Sequence, residues 1–181
     1  DVDAIVENRV EQIFEGWTEL NNNLGITQFY GIGVAPDGTI IGGTQDNGTL
    51  VLKPNTDSES WYETFGGDGG YSAADPTESN YLYGEYVNLQ IHRSTNGGKP
   101  GPELGASEYI DIPEMSEGAL FIAPFILDVN NPNRMLAGSN KLWVSNDVKE
   151  QVPTWSILKP LIESEAAIKS IAVAKDNSNI I

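Results

Sequence analysis

The sequence predicts an all-β chain built from repeated four-stranded antiparallel units, and three observations lead there. Short runs rich in β-branched and aromatic residues are separated by Gly, Pro, Asn and Asp, with 19 glycines and 10 prolines in 181 residues, the punctuation of many strands joined by tight turns. Helical periodicity is scarce: only residues 4–15 and 160–169 can be read as helices, and both stretches are short. The chain is also self-similar, which bears on fold more than any single motif.

The repeat is clearest in a hairpin. Ile41–Lys53 aligns without a gap on Leu82–Ser94, and Leu136–Ser145 fits with a central turn two residues shorter. Each copy is an apolar run, a Gly, a polar turn and a second apolar run. Ahead of each hairpin stands another apolar run closed by a turn: Tyr30–Val34 before Ala35-Pro36-Asp37-Gly38, Tyr71–Ala74 before Asp75-Pro76, and Phe121–Val129 before Asn131-Pro132-Asn133. An aromatic-bearing run follows each hairpin: Ser60–Phe65, Glu108–Ile112 and Thr154–Leu158. The unit is therefore four strands, A to D, at the spacing of β-propeller blades.

Blades are expected at about 29–68, 69–118 and 119–160, within one domain. Trp17-Thr18-Glu19-Leu20 matches a D strand, making 1–28 the end of a further blade. Ile168–Lys175 with the turn at Asp176–Asn179 matches an A strand and the entry to B, making 161–181 the start of another. An open row of blades would expose unpaired edges and apolar faces. Closure is expected within one chain, by self-association with a second, or through blades of a longer protein.

Composition narrows the partners. Ten Lys and Arg stand against 26 Asp and Glu, for a net charge of −16. Such a chain repels phosphate backbones and anionic lipid, so neither nucleic acid nor a membrane is an expected partner. Carbohydrate, protein or a cation is compatible, and Ca2+ on an acidic rim is the one cofactor left open. The chain has no Cys, which removes disulfides, thiolate zinc sites and thiol catalysis. Residues 1–20 are acidic and lack the basic and apolar regions of a signal peptide.

The C-to-D connections carry a family resemblance. Ser94-Thr95-Asn96-Gly97-Gly98, and Ser145-Asn146-Asp147 followed after an insertion by Thr154-Trp155, are similar to the Ser/Thr-x-Asp-x-Gly-x-Thr-Trp turn of Asp-box (BNR-repeat) propellers. The strings Leu24–Tyr30, Gly42–Thr49, Gly66–Gly70 and Arg93–Gly98 look like those of bacterial secreted, glycosyl-hydrolase-like propellers, in the layout of xyloglucanase and sortilin. The first unit departs from the pattern, with only Lys53-Pro54-Asn55 ahead of Trp61, and the second has no Trp soon after its turn. The resemblance implies structural roles for Ser94, Asn96, Gly98, Ser145, Asp147 and Trp155. It also implies an extracellular or periplasmic location, and it implies a fold more than a reaction.

Candidate site residues follow from topology. In antiparallel sheets the B–C and D–A connections share one face. That face gathers Gln45, Asp46, Asn47, Asp68, Asn21–Asn23, Asn88, Glu114, Glu117, Asn140, Glu163 and Glu165. Asp68, between two pairs of glycines, is the first choice for a functional carboxylate. Its glycines let a ligand or another backbone approach closely, and the plainer reading is a tight D–A turn with a capping Asp. Gln45, Asp46, Asn47 and Tyr86 are candidate ligand contacts, although Asn47-Gly48 is also a strong hairpin turn. Glu85, aligned with Thr44, is the candidate partner of Asp68 for acid/base cleavage of a glycoside, with Asp46 as the alternative partner.

His92, the only histidine, aligns with Val51 and Trp143 inside a C strand and is expected to be a core residue. Trp17, Trp61 and Trp155 recur at one repeat position and are expected to pack blades. A sialidase needs three convergent arginines; Arg9, Arg93 and Arg134 fall in the N-terminal segment, a C strand and an A–B turn, so that activity is not expected. The function expected is non-catalytic recognition of carbohydrate or protein by an exported bacterial propeller. A glycoside hydrolase and a purely structural module are the alternatives.

Overall fold

A computed structural model describes residues 26–57, 60–99, 107–160 and 166–181. Among these residues there is no α-helix. The Trp17–Leu20 strand, Arg9, Asn21–Asn23, Glu163, Glu165 and the 4–15 helix alternative lie outside the described residues; of the 160–169 alternative, residue 160 and 166–169 are described and are not helical.

Twelve strands form three four-stranded antiparallel sheets, each with neighbours in chain order. Sheet 1 holds β1 (Phe29–Val34), β2 (Ile40–Thr44), β3 (Gly48–Leu52) and β4 (Tyr62–Phe65). Sheet 2 holds β5 (Ser72–Ala74), β6 (Leu82–Glu85), β7 (Ile91–Ser94) and β8 (Glu108–Tyr109). Sheet 3 holds β9 (Phe125–Asp128), β10 (Asn131–Gly138), β11 (Leu142–Ser145) and β12 (Ser156–Lys159). A 3-10 turn, Pro113–Ser116, joins sheets 2 and 3 and buries Met115.

The pairing register corrects the sequence alignment by one residue. Ile40 pairs with Leu52 and Gly42 with Leu50, while Leu82 pairs with Ser94 and Gly84 with His92. Ile41 and Val51 face sheet 2 and pack on Leu82, which faces back toward them; Tyr83 faces sheet 3. Glu85 therefore occupies the place of Gly43, not Thr44, and His92 that of Leu50, not Val51. Two Gly motifs one residue out of phase drew the alignment to the wrong register, and in a strand one residue reverses the face. The two-residue-shorter turn of the third copy is correct: Ala137 pairs with Trp143 as Gly84 pairs with His92.

Other boundaries differ too. Asn131–Asn133 opens β10 instead of forming the turn, and Arg134 sits inside that strand. Residues 168–173 form no strand; only an isolated bridge, Ala174 to Asn177, marks the expected C-terminal turn.

Each seam between successive sheets has its own core. Ala35, Ile41, Val51 and Leu82 fill the first. The second holds Tyr83, Leu89, Ile91, Met115, Phe125, Met135 and Trp143. Leu136, Leu142 and Val144 meet Ile168, Ile171 and Val173 beyond sheet 3. Full burial of such side chains contributes roughly 1.5–3 kcal/mol each.

Glycine sets how closely sheets 1 and 2 approach. A Cβ at Gly33 would lie 2.5 Å from Ala74 N, and one at Gly43 only 2.0 Å from Gly70 O. The first strands β1, β5 and β9 face one groove of about 410 Å3, lined chiefly by Ile32–Val34, Tyr71–Ala74 and Phe125–Val129. At its rim Ile32, Val34 and Val129 are 56%, 62% and 61% exposed.

Candidate functional site

Local hydrogen bonds bring the β2–β3 turn and the β4–β5 connection together. The Asp46 N–H donates to Asp68 Oδ1 (3.0 Å), and Asp46 takes a positive φ of 61°. Gly48 N–H donates to Gly67 O (2.7 Å), Gly69 N–H to Thr44 O (2.8 Å) and Gly70 N–H to Glu85 O (2.7 Å). The glycine run thus admits another backbone. A Cβ at Gly67 would strike the Tyr86 ring, one at Gly69 the Gly48 carbonyl, and one at Gly70 the Glu85 carboxylate. Asp68 is a half-buried cap on the Asp46 turn.

Gln45, Asp46 and Asn47 are exposed. Asn47 Nδ2 donates to Gln45 O (2.8 Å) and to Thr27 Oγ1 (3.4 Å). Tyr86 is half-buried, its ring 6.4 Å from that of Phe65. The other turns share this face: Asn88 N–H donates to Phe121 O, Lys141 pairs with Glu117 (3.2 Å), and Gly118 lies against the Asn140 side chain. Glu114 sits in the 3-10 turn nearby.

Glu85 is not on the rim. It is 0% exposed, and its carboxylate accepts N–H groups from three segments: Leu89 (3.0 Å) and Ala123 (2.8 Å) on Oε1, and Tyr71 (3.3 Å) on Oε2. Burial pushes its carboxyl up to about 7 against the pull of those three donors. The equivalent places in sheets 1 and 3 are glycines, Gly43 and Gly138, crossed directly by the next segment at Gly69–Gly70 and Ile168. Sheet 2 substitutes a carboxylate that collects the incoming amides. A buried, backbone-clasped Glu85 is not placed to protonate a glycoside beside Asp68.

His92 is buried, stacked on Phe65 at 4.0 Å and 9°. Its Nε2 lies 3.3 Å from Thr49 Oγ1 and its Nδ1 has no partner. Burial lowers its pKa to about 3, so it packs the first seam as a neutral ring. Arg93 donates to Val148 O and Glu150 O, and Arg134 pairs with Asp128, all at 2.6 Å. The two guanidinium groups have separate structural partners.

The C–D turns make side-chain to backbone networks. Ser94 Oγ donates to Asn96 Oδ1 and accepts Gly98 N–H, each at 2.8 Å; Gly97 and Gly98 both take positive φ. Ser145 Oγ donates to Asp147 Oδ1 (2.8 Å), and Asp147 accepts Thr154 N–H (2.9 Å) and Thr154 Oγ1–H (2.8 Å). Trp155 Nε1–H then reaches Ile110 O (2.6 Å), just past β8 of sheet 2. Trp61 instead meets Phe29 within its own sheet, at 5.6 Å.

Sequence reasoning missed the polar bridges at the opposite end of the sheets. Asp37 N–H donates to Ser79 Oγ (3.1 Å), and Lys149 pairs with Asp75 (2.6 Å) and Glu78 (2.5 Å). Asn130 Nδ2 donates to Ala174 O (3.0 Å). A turn Asp at Asp37, Asp75 and Asp128 was the available signal. Among the described residues no group of three or more His, Asp or Glu side chains gathers to hold a metal, and no helix is long and apolar enough to cross a membrane. No protein-family model matches the chain, and no curated protein matches it.

Proposed function

We propose that the chain is part of an Asp-box β-propeller of an exported bacterial protein, and that it serves recognition of carbohydrate or protein without catalysis. One observation carries the non-catalytic reading: the two carboxylates best suited to chemistry are engaged in holding turns, Asp68 on the Asp46 amide and Glu85 on three amides. The propeller reading is supported by three stacked four-stranded meanders whose first strands share one groove, and by the Ser94 and Ser145 turn networks. Exposed Gln45, Asp46 and Asn47, with an exposed Phe121 near the next turn, offer the amides, carboxylate and ring face that sugar or peptide recognition uses.

The test pairs a glycan-array screen with a polysaccharide-hydrolysis assay. Saturable glycan binding, weakened by Asn47→Ala and unaccompanied by hydrolysis, is expected. Reducing ends released by the wild type but not by Asp68→Asn would overturn the non-catalytic reading and restore the hydrolase.

A further inference from the structure

The turn between β6 and β7 holds a backbone conformation that only glycine adopts freely. Asn88 and Leu89 take positive φ of 54° and 63°, and Leu89 is a fully buried leucine, for which this region is a strained one. Such strain persists only where the surroundings impose it. Glu85 imposes it here. Its Oε1 accepts the Leu89 N–H (3.0 Å) and, from the segment entering sheet 3, the Ala123 N–H (2.8 Å). Asn88 N–H donates to Phe121 O (2.9 Å), two residues earlier in that segment. One buried carboxylate thus ties the strained turn to the segment that presents the exposed Phe121.

No cation offsets this carboxylate. Asp75 and Asp128 are as deeply buried, but each pairs with a base, Lys149 and Arg134. The segments around Glu85, residues 69–74, 86–91 and 119–125, contain no acidic or basic side chain, and their titratable groups are the phenols of Tyr71 and Tyr86. Charged neighbours on adjoining elements are engaged elsewhere. Asp68 caps the Asp46 turn, His92 meets Thr49, Arg93 reaches Val148 O, Lys141 pairs with Glu117, and Glu114 is exposed. Asp111 holds the Ile91 amide and is itself pushed up to about 6 by burial.

We propose that Glu85 is a proton-operated latch: protonated, it keeps the Asn88–Leu89 turn and the Phe121 segment closed on the recognition face, and ionised, it lets them open to water. The closed form strips water from the carboxylate, and opening restores that water. Closed, the carboxyl is pushed up to about 7 by burial; open, it ionises near 4.5. Between those limits the closed form binds the extra proton. Opening therefore grows as pH rises, by about tenfold per pH unit, and levels off above about 7. The inference rests on the reading of this face as the recognition surface and adds its regulation by pH. Its test needs no ligand.

Amide hydrogen exchange of the ligand-free full chain, resolved by residue from pH 5 to 8 and corrected for intrinsic rates, measures this opening. The Asn88, Leu89 and Ala123 amides are expected to lose protection by about tenfold per pH unit up to about pH 7. They are also expected to be less protected throughout than the paired amides of β6 and β10. In Glu85→Gln their protection should no longer depend on pH, whereas Asp111→Asn should keep the wild-type profile. A flat wild-type profile overturns the proposal. So does a loss shared equally by the strand amides, because that is global unfolding and leaves Glu85 a purely structural group. A slope that survives in Glu85→Gln assigns the proton to another group and overturns it too. The wild-type profile decides by itself, so a glutamine variant that failed to fold would not shield the latch. A glycan screen without hits bears on recognition alone and leaves the latch standing.

Discussion

Replacing Glu85 with glutamine sets burial against hydrogen bonding at one group. The folded chain keeps the Glu85 proton up to about pH 7, whereas an ordinary solvated glutamate loses it near 4.5. Between those limits the folded state binds the extra proton, so stability falls as pH rises, by about 3 kcal/mol over the window. Glutamine cannot ionise. Its Oε1 can still accept from Leu89 and Ala123, but its amide NH2 faces the Tyr71 N–H, leaving a buried donor unpaired at a cost of about 1–3 kcal/mol. Glu85→Gln is therefore expected to be less stable than wild type by that amount near pH 5 and, once wild type has lost its about 3 kcal/mol, equal to it or more stable by up to about 2 kcal/mol at pH 8. Urea unfolding of both proteins across this range measures the gap, in which every other titrating group cancels. By melting temperature the closing gap amounts to several degrees, at about 2–4 °C per kcal/mol for a chain of this size. A gap that widens with pH would refute the reasoning, because the three amides would then outweigh burial and hold the carboxyl below its ordinary value.

Three further outcomes are expected. Gly43→Ala places a methyl 2.0 Å from Gly70 O and should cost about 1–3 kcal/mol or more in urea unfolding; a neutral substitution would mean that sheets 1 and 2 separate freely. His92, neutral when folded with a pKa near 3, contributes stability above pH 6.5 that is lost as pH falls toward 3, so His92→Phe should gain on wild type by about 2 kcal/mol between pH 6.5 and 5, and parallel pH profiles would contradict this. Asp147→Ala removes the acceptor of Ser145 Oγ–H and both Thr154 donors and should lower stability by about 1–2 kcal/mol, with hydrogen exchange at the Thr154 amide rising more than elsewhere.

The sheets were legible because their signals are local. Pro and Gly turns, alternating apolar runs and a recurring hairpin each depend on neighbours a few residues apart, and all twelve strands fall in or beside a run identified that way. Serine-led turns at Ser94 and Ser145 were legible for the same reason: their donors and acceptors lie within the turn or a short insertion of it. What stayed hidden depends on partners far along the chain. Nothing around Lys149 announces Asp75 or Glu78, and nothing around Arg93 announces the carbonyls of Val148 and Glu150.

Glu85 shows why the candidate site was the least legible part. A one-residue slip placed it over Thr44, on a polar turn, where a carboxylate reads as available chemistry. In its true register it replaces Gly43 and Gly138, positions where the next segment crosses so closely that a side chain has no room. A carboxylate can stand there only because the crossing segments near sheet 2 present amides, Tyr71 from one side and Ala123 from the other. The same acid that suggested catalysis is thus a substitute for backbone contact, and only the pairing of Leu82 with Ser94 separates the two readings.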